Sequence, residues 1–391
     1  MEIYRCAADY VRLQNPERPV LALRPHAADR AARWFLANFP GKILYAVKAN
    51  NAPQIVNTIF EAGVQDFDVA SLTELEQVGQ LCGAQMHIMH PIKSRELIRR
   101  AYFDYGVRTF ALDCEAELDK ILTETGYAQD LTLMVRMACP STYSEISLAG
   151  KFGISWHESP SLLGKARQYA DRLGISFHVG SQAMSPSAYS HALHTVSQHI
   201  VQAGVVADVI DVGGGFPSSY PGMEPPDLMS YMDEIRTAFD QLIVGEQCEL
   251  WSEPGRALVA EAESVIVRVD ARKGDTLYIN DGAFGTLFDA AHLNFVFPAR
   301  KLGTNTDSHT TLTPFAFYGP TCDSIDYMPG PFYLPEDIAE GDYIEIGNIG
   351  AYGRVMAGTF NGFGIYGKAR LADDPTSSMY LSKTASAAAF A

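Results

Sequence analysis

Eight short aliphatic and β-branched runs, separated by amphipathic stretches, fill the chain to about residue 252, and this alternation constrains the fold more than any other feature. The runs are ILYAV (43–47), DFDVA (66–70), MHIM (86–89), RTFAL (108–112), LTLMVR (131–136), ISFHV (175–179), ADVIDV (207–212) and CELWS (248–252). Stretches between them, such as APQIVNTIFEAG, SLTELEQVGQLCG, SRELIRRAYFDYG and SPSLLGKARQYADRLG, carry apolar residues at helical spacing. Ser71 and Ser94 stand where helix N-caps are expected, and Gly63, Gly83, Gly106 and Gly174 where helices should stop. Eight strands alternating with helices predict an α/β architecture, a parallel (β/α)8 TIM-like barrel. A doubly wound sheet can be drawn from the same pattern; the count of eight favours the barrel.

Beyond about residue 260 the pattern changes. ESVIVRVDAR, DTLYINDGA, TLTPFAFYGP, GDYIEIGN and GTFNGFGIYGKARL are short alternating segments broken by Gly, Pro, Asp and Asn, which predicts an antiparallel all-β domain. The expected organisation is a barrel over residues 20–262, a β domain over 263–375 that also takes in residues 1–19, and a flexible tail over 376–391. GTNTDSHTT (303–311) is expected to be a mobile loop.

Composition excludes several functions. With 47% hydrophobic and 19% charged residues in 391, the chain has ample material for a large core and is not a disordered protein. Its 30 basic against 46 acidic residues give a formal charge of −16, which repels nucleic-acid backbones and anionic lipid and weakly favours a cationic small molecule. The six cysteines form no CxxC pair and read as reduced thiols of a cytosolic protein. The N-terminus lacks the basic start and apolar run of a signal peptide, and no apolar stretch approaches the roughly 18–20 residues of a membrane helix. A cytoplasmic enzyme is expected.

Polar groups gather at the expected strand ends. Lys48 follows the first, Asp68 ends the second, His90 the third and Asp113 the fourth; Arg136, His178, Gly213 to Gly215, and Glu253 with Arg256 follow in turn. In a (β/α)8 barrel these ends share one face, where active sites form. Each residue alone has an ordinary explanation: a surface lysine, a tight glycine turn, a structural ion pair, a core histidine. Together they supply an amine partly desolvated at Lys48, a glycine-rich anion cradle in DVGGGFP (211–217) and a carboxylate in SEPGR (252–256). These are what pyridoxal phosphate requires: a lysine, a phosphate cradle and an acid for the pyridinium nitrogen. HVGSQ (178–182) adds an imidazole to stack on a ring and the Ser181 hydroxyl. In the β domain, GPTCDSID (319–326) presents Cys322 beside Asp323, suited to a proton donor or a nucleophile. GAYG (350–353) offers Tyr352, and FDAAH (288–292) offers Phe288 and Asp289.

YAVKAN, FDVAS, HVGSQ, DVGGGFP, EPGR, GPTCDSID, GAYG and FNGF occur in this order, and the set resembles the fold-type III, alanine-racemase-like decarboxylases that use pyridoxal phosphate, nearest their short bacterial ornithine decarboxylases. The resemblance runs from about residue 20 to about residue 370. It implies a homodimer with active sites at the interface, a small cationic amino-acid substrate, and no nucleic-acid or membrane partner. Lys48 would hold the cofactor and His178 stack on its ring; Ser181, Gly214, Gly215, Arg256 and Tyr352 would bind phosphate. Glu253, in the Glu253–Pro254–Gly255–Arg256 segment, would face the pyridine nitrogen, with Asp68 and Arg136 as supports near the lysine. Cys322, from the partner subunit, would protonate the carbanion. Phe288, Asp289 and Asp323 would hold the substrate, the two carboxylates its distal amine. The implied reaction is decarboxylation of L-ornithine to putrescine, the first step of polyamine synthesis; a dual lysine/ornithine enzyme differs by one methylene, worth about 1–3 kcal/mol. Diaminopimelate decarboxylases carry Cys-Glu and an Arg-Pro-Leu-Tyr type segment where this chain has Cys322-Asp323 and GTLFD (285–289). Arginine decarboxylases of this fold are expected to be much longer. An inactive regulatory homologue would have lost Lys48 or Cys322, and a dinucleotide-binding reading fails because GGG is not G-x-G-x-x-G. Gln182 departs from the family, which often has glycine there, as Gly353 departs from a frequent threonine.

Overall fold

The computed structural model describes residues 2–140, 142–148, 150–244, 247–303 and 311–381. Strands Lys42–Ala46, Asp66–Asp68, Gln85–Ile88, Thr109–Leu112, Thr132–Arg136, Arg172–Ser176, Val209–Asp211 and Glu249–Ser252 each pair in parallel with the next, and the last returns to the first. The closing ladder sets Trp251 opposite Lys42 and Ser252 opposite Ile43. Leu44, Met89, Ala111, Met134, Val209 and Trp251, drawn from around the ring, meet as one buried cluster. Each such side chain contributes about 1.5–3 kcal/mol on burial, so the barrel is a packed core rather than a channel.

Local signals place the helices. Ser71 Oγ accepts the Glu74 N–H at 3.2 Å and Ser94 Oγ the Leu97 N–H at 3.1 Å, so both serines cap helices, Leu72–Val78 and Arg95–Phe103. Gly63, Gly83 and Gly106 take the left-handed backbone that ends a helical stretch, with φ of 114°, 94° and 70°. Gly174 does not. It lies inside the sixth strand, where a Cβ would sit 1.9 Å from Met134 Sδ, so the barrel interior demands a glycine there. That strand, Arg172–Ser176, also falls earlier than the expected 175–179, because its ladder follows its neighbours: Gly174 to Ser176 pair with Val209 to Asp211. Phe177 and Val179 stay buried beyond the strand end, so an apolar run does not mark where pairing stops.

The second unit is a nine-stranded sheet of Ile3–Tyr4, Val20–Leu23, Glu263–Lys273, Thr276–Ile279, Ala299–Leu302, Leu312–Tyr318, Tyr327–Pro335, Tyr343–Ile346 and Gly367–Leu371. Most ladders are antiparallel. Three are parallel: Ile3–Tyr4 with Gly367–Leu371, Gly367–Leu371 with Val20–Leu23, and Thr276–Ile279 with Leu312–Tyr318. The sheet is therefore mixed. Val20–Leu23 is paired on both sides within it, by Glu263–Lys273 and Gly367–Leu371, which moves the boundary away from residues 20 and 262. Met1–Ala31, Ser218–Glu224 and the described part of Arg256–Ala391 form the sheet unit; Ala32–Pro217 and Pro225–Gly255 form the barrel unit.

Residues 376–381, expected to be part of a flexible tail, are packed: Ser378 Oγ and the Met379 N–H both donate to the buried Glu261 carboxylate. Residues 382–391, and residues 304–310 of the expected loop, lie outside the described residues. Among the described residues no helix is long and apolar enough to cross a membrane.

Candidate active site

Because the barrel strands are all parallel, the segments that follow them open on one face. Lys48 sits in the 3-10 turn Val47–Ala49 directly after the first strand, and its Nζ donates to Asp68 Oδ2 at 2.8 Å. Asp68 ends the second strand with its side chain 2% exposed, and its Oδ1 has no hydrogen-bond partner among the described residues. The Lys48 side chain is 44% exposed. The side chain is thus partly withdrawn from solvent, as expected, and a buried carboxylate orients its amine.

Glu253 follows the eighth strand and is 5% exposed. Burial first, then the neighbouring Asp211 and Asp68 carboxylates, hold its carboxyl well above the usual range, against the pull of Lys48 and Arg136. Asp211, fully buried at the end of the seventh strand, is pushed up to about 6, again chiefly by burial. Its Oδ1 accepts the Gly213 N–H at 2.7 Å and its Oδ2 has no partner. Both acids therefore release their protons at higher pH than ordinary carboxylates do.

The three glycines are fixed by close approach. A Cβ at Gly213 would lie 2.1 Å from the Phe177 carbonyl oxygen; at Gly214, 2.7 Å from the Glu253 carbonyl oxygen and 3.0 Å from His178 Nε2; at Gly215, 2.6 Å from the Gly180 carbonyl oxygen. The Gly214 and Gly215 N–H groups have no hydrogen-bond partner among the described residues, which leaves two amide donors for an anion. His178 Nδ1 accepts the Gly180 N–H at 3.0 Å, so the hydrogen of the neutral ring is on Nε2. Burial, with Arg136 and Lys48 adding to it, holds His178 well below the ordinary imidazole range and keeps it uncharged. Ser181 lies in the short strand Ser181–Ala183, paired antiparallel with Ser144–Ile146. Gln182 adopts φ 57°, the left-handed conformation a glycine takes without strain. Pro254 and Gly255 are buried, and the Pro254 carbonyl accepts the Ala46 N–H. Arg136 ends the fifth strand with its guanidinium over the Phe152 ring. His90 packs edge-on against the same Phe152 ring, and burial lowers it from the ordinary imidazole value.

In the sheet unit, buried Arg256 donates to Tyr220 Oη and to Asp289 Oδ2, each at 3.1 Å. Its guanidinium also lies over the rings of Phe295 and Tyr352, at 4.9 and 5.1 Å. Tyr352 holds φ 61° between the glycines of GAYG. Asp289 is thus engaged by Arg256, and burial raises it from the ordinary carboxylate value. Phe288 beside it packs on His292. Cys322 is exposed and Asp323 half-buried on a turn pinned by Asp326. That buried carboxylate accepts the Ala283 N–H, the Thr321 N–H and the Thr321 hydroxyl, while the Cys322 N–H donates to Asn361 Oδ1 at 3.0 Å.

The residues present fit pyridoxal phosphate: a carboxylate-oriented lysine, a high-pKa buried acid, a neutral imidazole and a cradle in which side chains would collide with backbone. Sequence reading missed Asp211, Tyr220 and Asp326. Only Asp211 carried a signal, a carboxylate immediately before three glycines. Among the described residues no cluster of side chains could hold a metal ion.

Residues 26–260 match the pyridoxal binding domain of pyridoxal-dependent decarboxylases, and residues 181–350 match the C-terminal sheet domain of the same group. A lysine/ornithine decarboxylase of Selenomonas ruminantium is 32% identical over 332 residues, 82% of this chain and 81% of that protein. Among solved structures, lysine/ornithine decarboxylase from Vibrio vulnificus complexed with cadaverine superposes with a TM-score of 0.78 at 27% identity, covering 95% of this chain and all of that one. Paramecium bursaria Chlorella virus arginine decarboxylase bound to agmatine gives 0.82 at 26% identity, covering 92% of this chain and 98% of that one. An arginine decarboxylase of comparable length exists, so the length argument against arginine fails.

Proposed function

The chain belongs to the pyridoxal-dependent decarboxylases and is an enzyme that uses pyridoxal phosphate, and from that premise we propose that it converts L-ornithine to putrescine and CO2. One observation carries the choice of substrate: Asp323 stands half-buried beside the exposed Cys322, its Oδ1 accepting the Ile325 N–H, a carboxylate for a distal ammonium next to the group available to the reacting carbon. Asp289 contributes less to that recognition than its sequence position promised, because Arg256 already matches its charge.

Bound pyridoxal phosphate supplies an electron-withdrawing ring beside the carbon that loses its carboxylate. Lys48 would hold the cofactor through its amine, with Asp68 fixing Nζ. Glu253, whose carboxyl keeps its proton to higher pH than an ordinary carboxylate, would share that proton with the ring nitrogen. His178 offers an uncharged face for stacking, so it adds no positive charge to oppose that proton. The Cα–carboxylate bond breaks, CO2 leaves with the carboxylate oxygens, and the electron pair left at Cα takes one proton from Cys322. In the barrel unit Gly214, Gly215 and Ser181 would receive the phosphate; in the sheet unit Arg256 and Tyr352 carry the same proposed role.

The dual lysine/ornithine reading stands second, favoured by the Selenomonas and Vibrio relatives. One methylene separates the two substrates by only about 1–3 kcal/mol. A homodimer follows from the same reading: Ile325, Phe360, Phe363 and Ile365 are exposed apolar residues of the sheet unit, near Cys322 in sequence or through Asn361, and a second copy would cover them. The test is CO2 release from L-ornithine, L-lysine, L-arginine and meso-diaminopimelate supplied separately to cofactor-loaded protein. Release from ornithine, with or without lysine, is expected. Preference for arginine or diaminopimelate would overturn the substrate while leaving the chemistry in place.

A further inference from the structure

The short helical turn Arg256–Val259 and the 3-10 turn Ala260–Ala262 that continues it begin with the guanidinium assigned above to phosphate, and the sheet unit holds them from two directions. On one, Gly350 of GAYG lies so close that a Cβ would stand 1.9 Å from the Val259 carbonyl oxygen, and its N–H donates to the Ala260 carbonyl at 3.0 Å. On the other lies the C-terminal segment. Tyr380 Oη donates to the Ala257 carbonyl at 2.7 Å, one residue after Arg256. Ser378 Oγ and the Met379 N–H donate to the two oxygens of Glu261 at 2.6 and 2.7 Å. The Tyr380 N–H closes the motif by donating to Ser378 Oγ at 3.1 Å. Upstream, Thr376 is buried beside Gly347, where a Cβ would meet Thr376 Oγ1 at 1.9 Å.

We propose that residues 376–381 are a strap that fixes the Arg256 turn, and that Tyr380 and Glu261 are thereby positioning residues for the cofactor's phosphate group. The inference rests on the reading of Arg256 as a phosphate ligand. Three features support it. The strap bonds to backbone and to a buried acid, partners that cannot rotate away. Glu261 is buried and forms no direct ion pair among the described residues; burial pushes it up to about 7, opposed first by the Ser378 and Met379 hydrogen bonds and then by the more distant Arg30 charge. The Arg256 side chain is held by Tyr220 and Asp289, while the backbone just after it is held by Tyr380 at Ala257, Gly350 at Ala260 and the Arg24 N–H at Ala262.

The experiment compares the affinity of apoprotein for pyridoxal phosphate and for pyridoxal, which lacks the phosphate, by absorbance titration. Tyr380→Phe keeps the ring and removes one hydrogen bond; its Kd for pyridoxal phosphate should rise roughly 3- to 10-fold, the loss of one such bond, with the pyridoxal Kd unchanged within about twofold. Truncation after residue 375 should give a larger rise with the same selectivity. Equal weakening of both ligands, or no change in either, overturns the strap. Arg256→Gln separates the two levels: if it leaves the ratio of the two Kd values at the wild-type figure, the phosphate role of Arg256 fails, whereas loss of selectivity in Arg256→Gln alone sinks only the strap.

Discussion

Asp211→Asn tests whether the buried acid pair is set by like-charge burial. Asp211 is fully buried with Oδ1 engaged by the Gly213 N–H; burial, with the Asp68 charge adding to it, raises its carboxyl against the pull of the Gly213 N–H, Glu253 and Arg136. Its carboxyl rises from the ordinary 3.8 to about 6. That rise of about 2 pH units corresponds to up to about 3 kcal/mol of folding stability lost once the group is ionised in both states. The sign follows from proton counts: between about pH 4 and pH 6 the folded chain binds a proton that the unfolded chain has released, so stability falls as pH rises through that window and levels off above it. Asparagine keeps the acceptor for Gly213, places an amide N–H toward Glu253 and cannot ionise. Apoprotein carrying Asp211→Asn should therefore be more stable than wild type at pH 7.5 by about 1–3 kcal/mol, a rise of a few degrees in Tm, and the gain should shrink toward zero by about pH 4. Removal of the like charge also lets Glu253 ionise more readily, so the pH above which cofactor affinity declines should move down. Thermal melts of apoprotein from pH 4 to pH 8, with cofactor titrations at each pH, measure both effects. A variant that is no more stable at pH 7.5, or whose gain grows on acidification, would refute the reasoning.

Lys48→Ala should abolish turnover and the visible absorbance band of lysine-bound cofactor; a band that persists would mean that another lysine holds it. In Cys322→Ala the cofactor spectrum and affinity should be unchanged while kcat falls roughly 10²- to 10⁴-fold, the usual worth of a positioned proton donor, and normal turnover would exclude Cys322 from that role. Asp323→Asn should raise the KM for L-ornithine by at least about 30-fold, since an ammonium facing a lost charge partner costs about 2–5 kcal/mol. Asp289→Asn should instead weaken pyridoxal phosphate binding by releasing Arg256, with a smaller effect on substrate KM; the reverse ranking would return Asp289 to the substrate.

The placement of the strand-end groups was legible because the barrel converts sequence order into position. A residue that follows a buried apolar run in a parallel barrel has only one face to occupy, so Lys48, Asp68, Arg136 and Glu253 could be placed by counting runs, even where the sixth run was misread by several residues. The sheet unit offers no such rule. Ala299–Leu302 reads ARKL and Tyr327–Pro335 holds three prolines, so neither has the look of a strand, and both are recruited by partners far away in the chain. Tyr343–Ile346 suggests alternation yet is buried throughout, because strands flank it on both sides and Arg24 and Arg300 reach Glu345, holding its carboxyl down at about 2.

The same difference explains which chemical roles could be assigned. Asp289 looked like a substrate carboxylate as long as its partner was unknown; Arg256 lies 33 residues before it, with no local pattern to link them. Asp326 and Asn361 pin the turn that carries Cys322 and Asp323, again through contacts invisible to periodicity. The C-terminal segment is the sharpest case. Its small polar residues have little apolar surface to bury, which is why a free tail was expected, but its hold on the protein is made of hydrogen bonds to Glu261 and to the Ala257 carbonyl. Composition measures what a segment can bury and says nothing of the buried acceptors it can satisfy. An unmatched buried acid such as Glu261 needs donors, and the residues best able to supply them are the serine, tyrosine and backbone groups that a hydropathy argument dismisses.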